Sequence, residues 1–371
     1  MRKDKLIILV AFVLAVGAAA GLQGLRGSGD GDARNTAGPA KASQTGEFRG
    51  ITLQLHSSDP KHPYEKLIDE IAGTGANTLG LVVTGWQENC SSTSIFIDLR
   101  KTPSADRLRQ IIRHAKKRGL KVVLMPIVLL ENGREGEWRG KINPDKWDDW
   151  WEDYNSYIVH YAKLGQDSGA DVFIIGSELV STEKYTDKWR SLIAQVRKVF
   201  KGRLSYSANW DHYTPVKWWD DLDIIGMTTY YDLTGGKEPT LQRLLDTWKP
   251  IRKEILQWQA KINRPILFTE VGWPNQKTCA QYPWDYYRSP DKPDPTAQAN
   301  CFEAFFQTWV GQKATAGFLV WEWRHHPDQK MDEKDPSYVP VGKPAMKVIS
   351  KYLNGPTRLA DANGTPASAP S

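Results

Sequence analysis

From Phe48 to about Leu353 the chain alternates short apolar runs with longer amphipathic stretches, the pattern of repeated β-α units built on a parallel sheet. Eight strands are predicted: ITLQLH (51–56), TLGLVV (78–83), KVVLMPIV (121–128), DVFIIGSE (171–178), LSYSAN (204–209), DIIGMTTY (223–230), PILFTEV (265–271) and GFLVWEW (317–323). Helices are predicted between them near 64–72, 104–118, 146–167, 186–200, 240–261, 296–311 and 344–353, several with apolar residues three and four positions apart. The link from the fifth strand to the sixth is short, a turn around Pro215 to Asp221. Pro103 and Ser104 read as a helix start, and Gly119 after Lys116, Lys117 and Arg118 as a stop. Eight such strands favour an α/β fold of the closed (β/α)8 TIM-barrel type, a single domain, over a doubly wound open sheet.

A barrel places its chemistry at the C-terminal ends of the strands and in the loops that follow them. The second strand runs into Trp86 and Gln87, the fourth ends at Ser177 and Glu178, and the fifth at Asn209 and Trp210. The sixth ends at Tyr230 and Tyr231, the seventh at Glu270 with Trp273 beyond, and the eighth at Trp321, Glu322 and Trp323. Carboxylates, amides, a tyrosine and indoles are thus predicted on one rim.

Composition sharpens the outline. The chain has 371 residues, and its ends are not read as part of the fold. A charged start, a 17-residue apolar run from Leu6 to Leu22 and the small residues Ala18 to Ala20 mark residues 1–25 as a secretory signal or membrane anchor. Export, with the catalytic part secreted, periplasmic or tethered outside the cytoplasm, is the expectation. Residues 26–46 are rich in Gly, Ala, Ser and Asp and read as a flexible linker, 47–355 as the barrel, and 356–371 as a disordered tail. The net charge is +6, but the first 49 residues hold seven Lys/Arg against four Asp/Glu. The rest is nearly balanced, and no basic run points to nucleic acid. Sixteen Trp residues, several near strand ends, suit sugar faces as well as packing. A monomer is expected. Of the three cysteines, Cys279 and Cys301 flank one loop and are expected to form a disulfide, leaving Cys90 free. No Cys or His spacing suits a metal: His325 and His326 are adjacent, and His56 and His212 stand alone.

Glycoside hydrolysis needs one carboxylic acid to protonate the leaving oxygen and one carboxylate to attack the anomeric carbon. Glu178 and Glu270 meet that need, because each ends an apolar strand and 92 residues separate them. Alone, each could be a surface ion-pair partner; at the ends of the fourth and seventh strands they read as a functional pair. Glu322 is a third carboxylate, flanked by two Trp, that points either into the site or out toward the helices. Asp211, Asp232, Glu88 and Glu131 follow strand ends on loops, where structural roles are favoured. Rival barrel chemistries leave traces that are missing here. The first strand has no His-x-His, bulky Trp273, Pro274 and Trp323 stand where a phosphate loop needs Gly, and Ser177 lacks a nucleophile elbow.

At these residues the chain resembles the clan of retaining β-glycosidases whose acid/base follows the fourth strand and whose nucleophile follows the seventh. Within that clan it resembles glycoside hydrolase family 113, an endo-β-1,4-mannanase family, through IIGSELVSTE (174–183), ANWDHY (208–213), GMTTYYDL (226–233), FTEVGWP (268–274) and FLVWEW (318–323). The resemblance implies Glu178 as acid/base, Glu270 as nucleophile, Tyr230 as a hydrogen-bond partner of Glu270 and Trp321 as a stacking platform. It also implies Trp86, Gln87, Asn209 and Trp210 in the cleft, and no cofactor. Most of the clan place Asn before the acid/base, where it is taken to bind the sugar 2-hydroxyl, whereas this chain has Ser177, so the resemblance does not carry that contact over. The expected substrate is a β-linked polysaccharide, mannan or glucomannan first. A retaining enzyme for another glycan (glucan, xylan, galactan or a cell-surface polysaccharide) and a non-catalytic carbohydrate-binding barrel stand as alternatives.

Overall fold

The computed structural model describes residues 47–285 and 292–355. The predicted signal or anchor, the linker and the C-terminal tail lie outside the described residues. Among those described, no helix is long and apolar enough to cross a membrane.

Eight parallel strands close into a barrel in chain order: β1 Phe48–Gln54, β2 Thr78–Gln87, β3 Lys121–Leu130, β4 Val172–Ser177, β5 Arg203–Ala208, β6 Ile224–Thr228, β7 Ile266–Val271 and β8 Thr315–Val320, with β8 pairing back to β1. Seven α-helices follow the strands among the described residues: α1 Tyr64–Gly73, α2 Ala105–Lys117, α3 Trp147–Ser168, α4 Thr186–Val199, α5 Leu241–Ile262, α6 Pro295–Trp309 and α7 Pro344–Leu353. The short link between β5 and β6 holds only a single 3-10 turn, Trp219–Asp221. Local chemistry sets the helix ends. Ser104 accepts a hydrogen bond from Arg107 N at the start of α2, Asp294 does the same for Ala297 N before α6, and Gly119, at φ +78°, follows α2 in a conformation that a Cβ disfavours.

Two apolar layers follow from the two faces of each strand. Inward residues such as Val82, Val123, Met125, Ile174, Ile224, Leu267 and Leu319 fill the barrel. Outward residues such as Ile51, Leu81, Phe173, Met227 and Phe268 pack against the helices. That second layer takes up much of the indole content. Trp150, Trp151, Trp189, Trp218, Trp219, Trp248, Trp273 and Trp309 are fully buried, half of the sixteen, so packing rather than sugar binding explains them.

The expected disulfide is not present. Cys279 and Cys301 are buried free thiols joined by a hydrogen bond, and Cys90 is free as well. Flanking one loop brought the two sulfurs together. Burial and the neighbouring thiol push Cys301 well above the ordinary thiol range, so it keeps its proton.

Candidate active site

Glu178 follows β4 and Glu270 lies within β7, each beside a point where the pairing slips. The register of β4 on β5 shifts between Ile174 and Ser177. That of β7 shifts on β6 between Met227 and Thr228, and on β8 between Phe268 and Val271. The slip in β7 decides where Glu270 points. Phe268 faces the helices, packed on Phe305 and Trp309, and strict alternation would send Glu270 the same way. The slip turns it instead into the barrel mouth, where Tyr230 donates a hydrogen bond to its Oε2 over 2.8 Å. Glu178 is turned by its own backbone, at φ +52°, a region that side-chain-bearing residues rarely enter.

The two carboxylates face each other across one guanidinium. Arg139 Nη2 lies 2.6 Å from Glu178 Oε2 and 3.9 Å from Glu270 Oε1. The two oxygens are therefore no farther apart than the sum of those distances. That is the lower edge of the about 6.5 to 9.5 Å that inverting pairs need for their water. Thr228, at the end of β6, donates to Glu178 Oε1 over 3.1 Å and accepts from Trp210 N. Both oxygens of Glu178 are thus engaged. Glu270 Oε1, by contrast, is buried and has no hydrogen-bond partner among the described residues. Burial first, and then the charge of Glu178, push Glu270 up to about 7, against the pull of Arg139 and the Tyr230 hydroxyl.

Arg139 carries no sequence signal. It sits in the 3-10 turn Arg139–Lys141 of the long β3–α3 loop, held by its Nε bond to Ser177 O. Glu322 is the other addition. Gln54, on the inward face at the end of β1, donates to Glu322 Oε2, so this carboxyl turns into the barrel and not toward the helices. Burial pushes it up to about 7, and its charge acts on Glu270.

The remaining predicted residues divide. Trp86, Asn209, Trp210 and Trp321 are partly exposed, and Tyr230 is buried beside Glu270. Trp86 carries Lys101 Nζ 4.1 Å from its ring centroid, and Trp210 stacks on Trp284 at 5.9 Å and 16°. Trp284, 44 % exposed, is an aromatic wall that the strand-end reading missed, because it lies in the loop well past β7. Gln87 and Trp273 are corrections. The strand β2 continues to Gln87, so its alternation puts Trp86 on the Val82 face and Gln87 on the opposite one. There Gln87 is fully buried, accepting from Trp150 Nε1 and donating to Asn89 O and Ser92 O. Trp273 is fully buried against Phe302 and Phe305. Neither side chain reaches the cleft. Among the described residues no cluster of three His, Cys, Asp or Glu could hold a metal ion.

No curated protein sequence matches. Among solved structures, a complex of a GH113 β-1,4-mannanase is 29 % identical, with 83 % of this chain and 99 % of that chain covered at a TM-score of 0.72. The GH113 β-mannanase AaManA from Alicyclobacillus acidocaldarius, in complex with ManMIm, is 27 % identical over 83 % of this chain and 97 % of that one, with a TM-score of 0.74. The endo-β-1,4-mannanase from Thermotoga petrophila, 12 % identical with a TM-score of 0.55 over 83 % and 76 % of the two chains, shares the fold. The family model of Glycoside Hydrolase Family 113 matches residues 60–343, a span that runs from before α1 to the last turn before α7 and takes in both rim glutamates, Arg139 and Tyr230. A closed barrel with paired carboxylates at β4 and β7, matched by that family over most of its length, belongs to glycoside hydrolase family 113.

Proposed function

We propose that the protein is an exported, retaining endo-β-1,4-mannanase acting on mannan or glucomannan. Glu178 serves as acid/base and Glu270 as nucleophile. The observation that supports the reading is the single Arg139 nitrogen 2.6 Å from one carboxylate and 3.9 Å from the other, which holds those two oxygens at or below the lower edge of the inverting range, together with a Glu270 Oε1 that accepts no hydrogen bond among the described residues. The mannan preference is supported by the GH113 β-1,4-mannanases to which the chain is similar.

In the first step Glu270 Oε1 attacks the anomeric carbon as the glycosidic bond breaks, and the departing oxygen takes the proton of Glu178. The product is a glycosyl ester on Glu270 and a free sugar hydroxyl. In the second step Glu178 removes a proton from water, whose oxygen attacks the same carbon and releases Glu270 as a carboxylate. Tyr230 orients Glu270 through Oε2, leaving Oε1 for attack. The charge of the pair moves from one glutamate to the other during this cycle, and Arg139 is placed to follow it. Trp86, Asn209, Trp210, Tyr230 and Trp321 line the sugar path in this reading, with Trp321 under the ring at the bond to be cut. The apolar run of residues 6–22 directs export and serves as a membrane tether where it is retained.

Reducing-sugar release from mannan, glucomannan, glucan, xylan and galactan tests the substrate. The expected result is release from mannan and glucomannan well above the others. Preference for xylan, galactan or a pure glucan contradicts the mannan reading, and no release from any of them contradicts catalysis.

A further inference from the structure

We propose that Tyr206 and Glu183, backed by His212, form a buried brace that holds the backbone of Glu178 in its left-handed turn and so aims the acid/base. The inference rests on the reading of Glu178 given above. Glu178 stands at φ +52°, and its own N–H donates to Ser207 O over 2.8 Å. The turn points the next N–H, that of Leu179, into the protein, where a buried donor must find an acceptor. It finds the Tyr206 hydroxyl at 2.9 Å. That hydroxyl then has one hydrogen to place, and it donates to Glu183 Oε1 over 2.7 Å. Glu183 Oε2 is met by His212 Nδ1 at 2.6 Å.

The chain therefore runs His212, Glu183, Tyr206, Leu179 N, with Glu178 one residue away. Tyr206 is fully buried and Glu183 is 2 % exposed. Burying a carboxylate is costly unless each oxygen is hydrogen-bonded, and here each is. A phenol that donates to a carboxylate is also a better acceptor for Leu179 N, because hydrogen bonds in series polarise one another. The strand is pressed onto the same ring, since a Cβ on Gly176 would lie 3.2 Å from Tyr206 Cε2 and 2.6 Å from the Tyr154 hydroxyl. Arg139 and Thr228 hold the carboxylate oxygens of Glu178, whereas the hydrogen bonds of this chain reach the backbone N–H of Leu179. The brace acts on the backbone of Glu178, so Tyr206 and Glu183 are positioning residues.

Tyr206→Phe keeps the ring packed between Trp189 and Trp218 and leaves Leu179 N unpaired. A misaimed acid costs most where the leaving group needs a proton and least where it does not. The test compares kcat/KM on β-1,4-mannohexaose with that on 2,4-dinitrophenyl β-mannobioside. Tyr206→Phe is expected to lose about tenfold or more on the hexaose and to stay within about twofold on the aryl glycoside. Glu183→Gln, which still accepts from Tyr206 but lacks the charge, is expected to show the same selective loss to a smaller degree. It provides the readout if Tyr206→Phe does not fold. Equal loss on both substrates, or loss on neither, in the variant that folds overturns the brace. Glu178→Ala is measured alongside. If it too shows no leaving-group dependence, the acid/base assignment of Glu178 fails; if it does and the brace variants do not, only the brace fails.

Discussion

Arg139 Nη2 sits 2.6 Å from Glu178 Oε2, an ion pair formed between the β3–α3 loop and the end of β4 at the mouth of the barrel. The same guanidinium is the cation that holds Glu270 down against burial and against the charge of Glu178. As the proposed nucleophile Glu270 must be ionised to attack, so on this proposal the acidic limb of kcat/KM reports its titration in the free enzyme. Removing Arg139 raises Glu270 further above about 7. Arg139→Ala should therefore move the acidic limb to higher pH and lower kcat/KM by about tenfold to a hundredfold. A limb that stays in place would show that Arg139 does not act on the nucleophile.

Tyr230 acts on the same carboxylate from the other side, through its bond to Glu270 Oε2. A hydrogen bond to a charged acceptor contributes about 1.5 to 3 kcal/mol, so Tyr230→Phe should cost about tenfold to a hundredfold in kcat/KM while thermal unfolding changes little. The acidic limb should again rise, because this bond lowers Glu270. Kinetics and unfolding on one preparation check both; a large drop in stability with normal kcat/KM would make Tyr230 a packing residue.

Glu322 gives a prediction about stability. Burial raises it from the ordinary carboxylate range to about 7, so the folded protein keeps a proton that the unfolded chain gives up at lower pH. The protonated group favours folding below the ordinary range, and that contribution is lost as pH rises through about 7. Gln54 donates to its Oε2, a bond that a glutamine amide oxygen can also accept. Glu322→Gln should therefore gain on the parent protein by about 2 to 3 kcal/mol between pH 5 and pH 8. Urea unfolding at both values measures it, and a difference independent of pH would contradict the assignment.

Trp273 and Trp321 should part company. Trp273 is fully buried in the layer behind β7, so Trp273→Ala should cost about 3 to 5 kcal/mol of stability and leave kcat/KM of the folded fraction nearly unchanged. Trp321 is partly exposed above the inner core, and Trp321→Ala should reduce kcat/KM with the smaller stability loss. The reverse pattern would place the sugar elsewhere on the rim.

The barrel was legible because its signal is distributed: eight apolar runs and seven amphipathic stretches each recur, and each helix lies within two residues of its predicted span. The two glutamates were legible because they end those runs. What was not legible depends on single events that periodicity cannot carry. The slip between Phe268 and Val271 turns Glu270 inward, and nothing in ILFTEV marks it. Gln87 was misplaced because β2 continues past its predicted end, so strand alternation, not loop freedom, sets its direction. Arg139 lies in a charged loop with no strand end to point to it, and Glu322 is directed by Gln54, a partner 268 residues away. The cysteine pair was legible as proximity; its chemical state was not.

If Glu270 bonds covalently to the sugar while Glu178 only moves protons, azide distinguishes the two glutamates. Glu178→Ala leaves the nucleophile intact, so an activated aryl β-mannoside still forms the glycosyl ester on Glu270, which azide then attacks from the opposite face. Two displacements at one carbon restore the starting configuration. The anomeric configuration of the mannosyl azide, read by proton NMR, is predicted to be β. An α-mannosyl azide from this variant would mean that Glu178 had been the nucleophile, and would contradict the assignment of both glutamates.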